Sequence, residues 1–64
     1  MNDKIELAKK ENISRYLKLA QKEDHLADLK DKQGLHGSAR FHRSIALKNR
    51  SIASHISHIS HQAS

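Results

Sequence analysis

The chain contains no cysteine and no proline, and only two glycines interrupt its 64 residues. The absence of cysteine excludes disulfides and thiolate metal ligands. Tryptophan, threonine and valine are also missing, and Tyr16 and Phe41 are the only aromatic residues besides histidine. A chain of this length forms one small domain, whose core is marginal unless something completes it. We therefore expect a single domain over residues 1–64.

Long apolar runs and enzyme motifs are absent as well. No stretch of about 18 apolar residues occurs, so we expect no membrane-spanning helix. The N-terminus has no apolar segment of the kind found in signal peptides, which favours a cytoplasmic location. The segment Gly34-Leu35-His36-Gly37 lacks the Lys-Ser/Thr pair of a phosphate-binding loop. We expect no enzymatic activity and no cofactor.

The two glycines divide the chain into two helical segments. Asp3 fits a helix N-cap, strong helix formers follow it, and Gly34 fits the position just after a helix. Ser38 fits the N-cap of a second helix. The predicted elements are helix 1 over about 4–33, a loop over 34–38, and helix 2 over about 39–62 with a C-terminal end prone to fraying.

Each segment carries an apolar stripe at helical spacing. Two helices joined by a short loop form an antiparallel hairpin, in which one stripe packs against the other. The predicted fold class is an all-α, antiparallel two-helix hairpin that self-associates into a four-helix bundle, with a homodimer favoured. The residues expected to form the core and the contact between copies are Ile5, Ile13, Tyr16, Ala20, Leu26, Phe41, Ile45, Ile52, Ile56 and Ile59.

Two long helices and a short turn within about 60 residues make an architecture that resembles the plasmid copy-control RNA-binding hairpin proteins of the Rop type. Those proteins dimerise into four-helix bundles and bind RNA loops through one face. The resemblance lies in architecture alone and implies no site residue, because fold does not determine function.

Charge is unevenly distributed along the chain. The formal net charge is +5 and the pI is about 9.9. Residues 1–33 hold every acidic residue, whereas all the charged residues of 34–64 are basic. An acid-free, arginine-bearing helix face favours phosphate partners. The predicted nucleic-acid-binding residues are Arg40, Arg43, Lys48 and Arg50 of helix 2, with Arg15, Lys18 and Lys22 of helix 1.

Five of the six histidines lie in the C-terminal half, where a Ser-His-Ile triplet repeats. His55, His58 and His61 are three residues apart, a spacing that can place two imidazoles on one ion. No carboxylate lies in this half to complete such a site, so we expect no metal. These residues are interpreted as a polar helix flank.

The sequence favours a small non-enzymatic regulatory protein that binds RNA or DNA mainly by phosphate contacts. The alternative is an inhibitor or adaptor that uses its helix faces on a protein partner. Either function suits a phage or plasmid accessory protein. A basic amphipathic helix can also lie on an anionic membrane, but the lack of tryptophan on the apolar face disfavours that function.

Overall fold

The chain forms two α-helices in a computed structural model that describes the backbone of residues 3–62 and the side chains of residues 3–58. Helix α1 spans Asp3–Lys32 and helix α2 spans His36–Gln62. The two helices are antiparallel, because Asp24 pairs with Arg50 while the later residue Asp31 pairs with the earlier Arg43. The predicted all-α hairpin is confirmed, and its assembly into a bundle stays a prediction.

The turn between the helices is built around Gly34. The Leu35 N–H donates to the Lys30 carbonyl at 2.8 Å, and the Gly34 N–H donates to the Asp31 carbonyl at 2.9 Å. These two bonds define a Schellman motif, which requires a left-handed residue after the helix. Gly34 has a φ of +79°, so the expectation that it ends helix 1 is confirmed.

The helix boundaries differ slightly from the predicted ones. Asp3 is already helical, and Ser38 lies inside α2 instead of capping it. The Ala39 N–H donates to the Leu35 carbonyl at 3.0 Å, which places Leu35 at the N-cap. The Schellman turn reverses the chain within three residues, and α2 therefore begins before Ser38.

Alanines form the contact between the helices. Within each helix the buried alanines are seven residues apart, so they recur on nearly the same side. Because a methyl group is small, the two backbones approach closely along this row. We call it the alanine seam, and it comprises Ala20 and Ala27 of α1 with Ala39, Ala46 and Ala53 of α2.

The predicted core residues divide into three groups. Ala20 is buried, and five others are half-buried: Ile13, Tyr16, Leu26, Ile45 and Ile56. Ile5, Phe41 and Ile52 are 56%, 63% and 40% exposed, and the Ile59 side chain lies outside the described residues. Phe41 and Ile52 therefore lie outside the contact between α1 and α2, and their part in a contact between copies stays a prediction. The alanines occupy the seam because they permit a closer approach than isoleucines would.

Neither helix offers, between residues 3 and 62, the length of apolar sequence that crossing a bilayer requires.

The two glycines provide a matched pair of substitutions. Gly34→Ala is expected to lower the free energy of unfolding by about 1–2 kcal/mol, because alanine is strained at positive φ. Gly37→Ala is expected to raise it by about 0.4–1 kcal/mol, because Gly37 is helical and a methyl group there meets no neighbour. Urea unfolding followed by circular dichroism measures both values. Equal stability of the two variants would contradict the assigned turn.

Enlarging a side chain in the alanine seam is expected to separate the helices. Ala46→Leu should destabilise the hairpin by about 1–3 kcal/mol, because the seam has no space for an isobutyl group. Ala8→Leu is the control, since Ala8 is exposed on α1. The same unfolding measurement applies, and a seam variant that is as stable as the control would show that the helices are not held this closely.

Candidate nucleic-acid interface

Two of the predicted phosphate-binding arginines face aspartates of α1. One Arg43 Nη donates to Asp28 Oδ1 at 3.2 Å and to Asp31 Oδ2 at 2.5 Å. Arg50 forms an ion pair with Asp24. The expectation that the arginine face of helix 2 has no acid nearby is therefore wrong. The hairpin supplies the acids from the other helix, at positions far away in sequence.

Asp31 connects the turn to both helices. Its Oδ1 also lies 2.8 Å from His36 Nδ1 in the first turn of α2. The hydrogen bonds from His36 and then Arg43 hold the pKa of the Asp31 carboxyl below its usual value. The same carboxylate raises the pKa of the Arg43 guanidinium. Asp31 thus orients Arg43 along the edge of the hairpin, where its charge is already partly compensated.

A second polar contact crosses the hairpin near its centre. His42 Nδ1 lies 2.6 Å from Glu23 Oε2, and about a fifth of each side chain is exposed. The Phe41 ring stands edge-on to the His42 ring, with centroids 5.6 Å apart. Glu23 is consequently occupied by a partner within the fold, like the three aspartates.

The remaining predicted cations are exposed and available. Across the side chains of residues 3–58, no ion pair forms to Arg15, Lys18 or Lys22 of α1, nor to Arg40 or Lys48 of α2. The three α1 residues recur at helical spacing over about 10 Å of the helix axis. They line a shallow depression together with Glu11, Ser14 and Leu19.

The position of each residue relative to the seam alanines determines which side of the hairpin it occupies. Residues one or four positions after an alanine lie on the side of the ion pairs, as Asp24, Asp28, Arg43 and Arg50 show. Residues one position before an alanine lie on the opposite side, whereas residues two positions after an alanine, such as Leu29 and Phe41, point away from the other helix. We call the side opposite the ion pairs the apolar face, and it comprises Leu19, Leu26, Ile45 and Ile52.

Basic residues accompany the apolar face. Lys22 and Lys48 each lie two positions after a seam alanine, and Arg15 lies two positions after the half-buried Ile13. Asp24, Asp28 and Asp31 are all at the opposite edge, and Glu23 is bonded to His42. The uncompensated cations therefore lie beside the apolar face, Arg15 and Lys22 on the outer side of α1 and Lys48 on the outer side of α2.

The histidines do not assemble with other ligands. Within the described part of the chain, no group of three or more histidine, cysteine or acidic residues is arranged to hold a metal ion. The helical backbone continues through the Ser-His-Ile repeat to Gln62, while the side chain of His61 lies outside the described residues.

No family model matches the chain, and no curated protein and no solved structure shows a significant match to it.

The sequence pattern contained two signals that hydrophobic spacing alone does not reveal. One is the seven-residue recurrence of alanine at 39, 46 and 53, which identifies the seam. The other is the matching spacing of Asp24 and Asp31 with Arg43 and Arg50, also seven apart. Antiparallel helices bring the aspartate and arginine rows together along one edge, so this second signal points to the observed ion pairs.

The lowered pKa of Asp31 predicts that the stability of the hairpin depends on pH in the acidic range. A carboxyl with a lower pKa in the folded state stabilises the fold above its ordinary pKa of about 3.9. That contribution disappears as the pH falls through the lower folded value. When the pH falls from 5 to 2, the Asp31→Asn variant should therefore lose less of its free energy of unfolding than the unsubstituted chain. The urea midpoints of both chains at each pH measure this difference.

Glu11→Gln is the control for Asp31→Asn, because Glu11 is an exposed acid of α1 without an ion pair to α2. This variant should follow the acid dependence of the unsubstituted chain. Parallel acid dependences for Asp31→Asn and the unsubstituted chain would show that the contacts of Asp31 with His36 and Arg43 do not stabilise the hairpin.

Proposed function

We propose that this protein is a small non-enzymatic regulator that binds nucleic acid through phosphate contacts. The observation that supports this most directly is the exposed row of Arg15, Lys18 and Lys22, which no acid of the described residues neutralises by an ion pair. Cations at this spacing can follow a phosphate backbone, displacing its counterions. A cytoplasmic location belongs to the same proposal, because nucleic acid is accessible there.

The contributions of the α2 residues differ from one another. Lys48 and Arg40 are exposed and available for phosphate. Arg43 and Arg50 already bind aspartates, so a phosphate must compete with Asp24, Asp28 and Asp31 for them. The proposed interface is therefore centred on α1, while Lys48 on the outer side of α2 and Arg40 on the side of the ion pairs are further candidates for phosphate contacts.

The proposed recognition is insensitive to base sequence. Stacking on unpaired bases requires exposed aromatic side chains, and the basic row of α1 contains none. Phosphate contacts position a protein on nucleic acid without reading its sequence. We therefore assign the binding energy to charge, which makes it steeply dependent on salt.

Self-association is the second part of the proposal. The described core consists of alanines, with no larger side chain fully buried. Small domains with so little buried apolar surface commonly gain stability from a second chain. We propose a homodimer in which the apolar faces of two hairpins meet to form a four-helix bundle.

Removing the α1 row should weaken binding to all nucleic acids alike. The triple variant Arg15→Gln, Lys18→Gln, Lys22→Gln is expected to reduce the slope of log affinity against log salt by about 3 for duplex DNA. Fluorescence anisotropy with duplex DNA, single strands and structured RNA, between about 50 and 200 mM salt, measures the slope.

The matched control removes the same charge elsewhere on α1. Lys9, Lys10 and Lys32 lie outside the row, and their replacement by glutamine should leave most of the slope intact. Equal losses in the two triple variants would show that only net charge matters and that no interface exists. No binding of the unsubstituted chain at about 50 mM salt would favour the alternative, a protein partner held by the apolar face.

A further inference from the structure

His25 continues the basic row on the outer side of α1. Lys18 and His25 each lie two positions before a seam alanine, so both point away from α2. His25 also follows Lys22 by three residues, a spacing that makes two residues neighbours on a helix surface. Together with Arg15, these residues form a row that extends over about 15 Å of the helix axis.

The imidazole of His25 is exposed and open to a ligand. Across the side chains of residues 3–58, no hydrogen bond, ion pair or ring contact involves it. By contrast, Asp31 holds His36 and Glu23 holds His42. His25 is the one histidine of α1, and the fold leaves both of its ring nitrogens available beside the cations of the row.

The charge that remains beside His25 is positive. The charged residues around its position, with the partners that these bind, are Lys22, Asp24 and Asp28 of α1 and Arg43 and Arg50 of α2. The two aspartates are paired with the two arginines along the edge of the hairpin, whereas Lys22 forms no ion pair among the described side chains. An anion bound at this end of the row would therefore favour the protonated imidazole.

We propose that His25 is a fourth phosphate-binding residue of this row and that its protonation controls how tightly the protein holds nucleic acid. Histidine is the side chain that ordinarily changes its charge between about pH 5 and 8. The protonated imidazole donates from both nitrogens and displaces one more counterion, whereas the neutral imidazole carries no charge to do so. This inference rests on the proposed function and adds regulation by pH to the binding that Arg15, Lys18 and Lys22 provide throughout that range.

The direction of the effect follows from linkage. Because nucleic acid binds the protonated form more tightly, its binding takes up protons and strengthens as the pH falls. One additional phosphate contact increases the slope of log affinity against log salt by about 0.9 for duplex DNA, which corresponds to roughly tenfold in affinity at about 50 mM salt. Binding should therefore be tighter and more dependent on salt at about pH 5.5 than at about pH 8.

Two substitutions of His25 test the assignment. His25→Gln should lose roughly tenfold of the increase in affinity between about pH 8 and pH 5.5, because glutamine cannot acquire the charge. His25→Lys should bind roughly tenfold more tightly than the unsubstituted chain at about pH 8, because its charge is permanent. Fluorescence anisotropy of the full chain with duplex DNA at about 50 and 200 mM salt measures both. Circular dichroism at each pH verifies that the variants remain helical.

His55→Gln is the matched control. His55 is exposed on the outer side of α2, two positions after the seam residue Ala53 and away from the row. This variant removes the same charge in acid, but it should keep the tenfold increase that His25→Gln loses. Calorimetry in buffers of different ionisation enthalpy gives a second measurement. At about pH 6.5 the unsubstituted chain and the control should take up more protons on binding DNA than His25→Gln does.

The outcomes separate the role of His25 from the function on which it rests. If DNA binds and the Arg15, Lys18 and Lys22 variant weakens it, but His25→Gln keeps the full dependence on pH, the role of His25 is wrong while the nucleic-acid proposal survives. Equal losses in His25→Gln and His55→Gln would also overturn it, because net charge would then be the cause. If the unsubstituted chain binds no DNA at about 50 mM salt at either pH, the proposed function itself is wrong.

Discussion

The close packing of alanine against the opposing helix is the constraint on which the rest of this hairpin depends. Five alanines are 0–3% exposed, and no larger side chain of the described residues is buried to that degree. A contact made from methyl groups buries little apolar area per residue, but it brings two backbones close together along their length. The larger side chains must then lie beside the contact, on one side of the hairpin or the other.

This displacement produces two unlike sides. Along one edge, Asp24, Asp28 and Asp31 meet Arg43 and Arg50, and these ion pairs are partly exposed. Exposed ion pairs contribute little to stability, so their main effect is to align the two helices and to neutralise the charges that form them. On the other side lie Leu19, Leu26, Ile45 and Ile52, bordered on the outer sides of the two helices by cations that have no such partner.

The proposed function follows from which charges the fold leaves uncompensated. An arginine held by two carboxylates presents less of its charge to a ligand than one that faces solvent. The excess positive charge of the sequence therefore lies mainly on the outer side of α1, with Lys48 on the outer side of α2. Because the outer side of α1 borders the apolar face, the surface that can attract an anion adjoins the surface that can receive a second chain.

Sequence alone determined the helical class, the single turn and the residue that makes it. These are local properties: helix propensity, the position of two glycines and the left-handed conformation that Gly34 can adopt without strain. It also determined that each helix has an apolar stripe and that all acids lie in the first half. The tertiary structure decided which stripe faces inward. Apolar spacing favoured Phe41 and Ile52 for that role, but the smaller Ala39, Ala46 and Ala53 allow a closer approach and take it. The tertiary structure also decided which cations are free, because the antiparallel register carries acids of α1 to arginines of α2. Acidic and basic residues that are far apart along the chain therefore pair in the folded hairpin. Counting the charged residues of one half of the sequence cannot reveal these pairs.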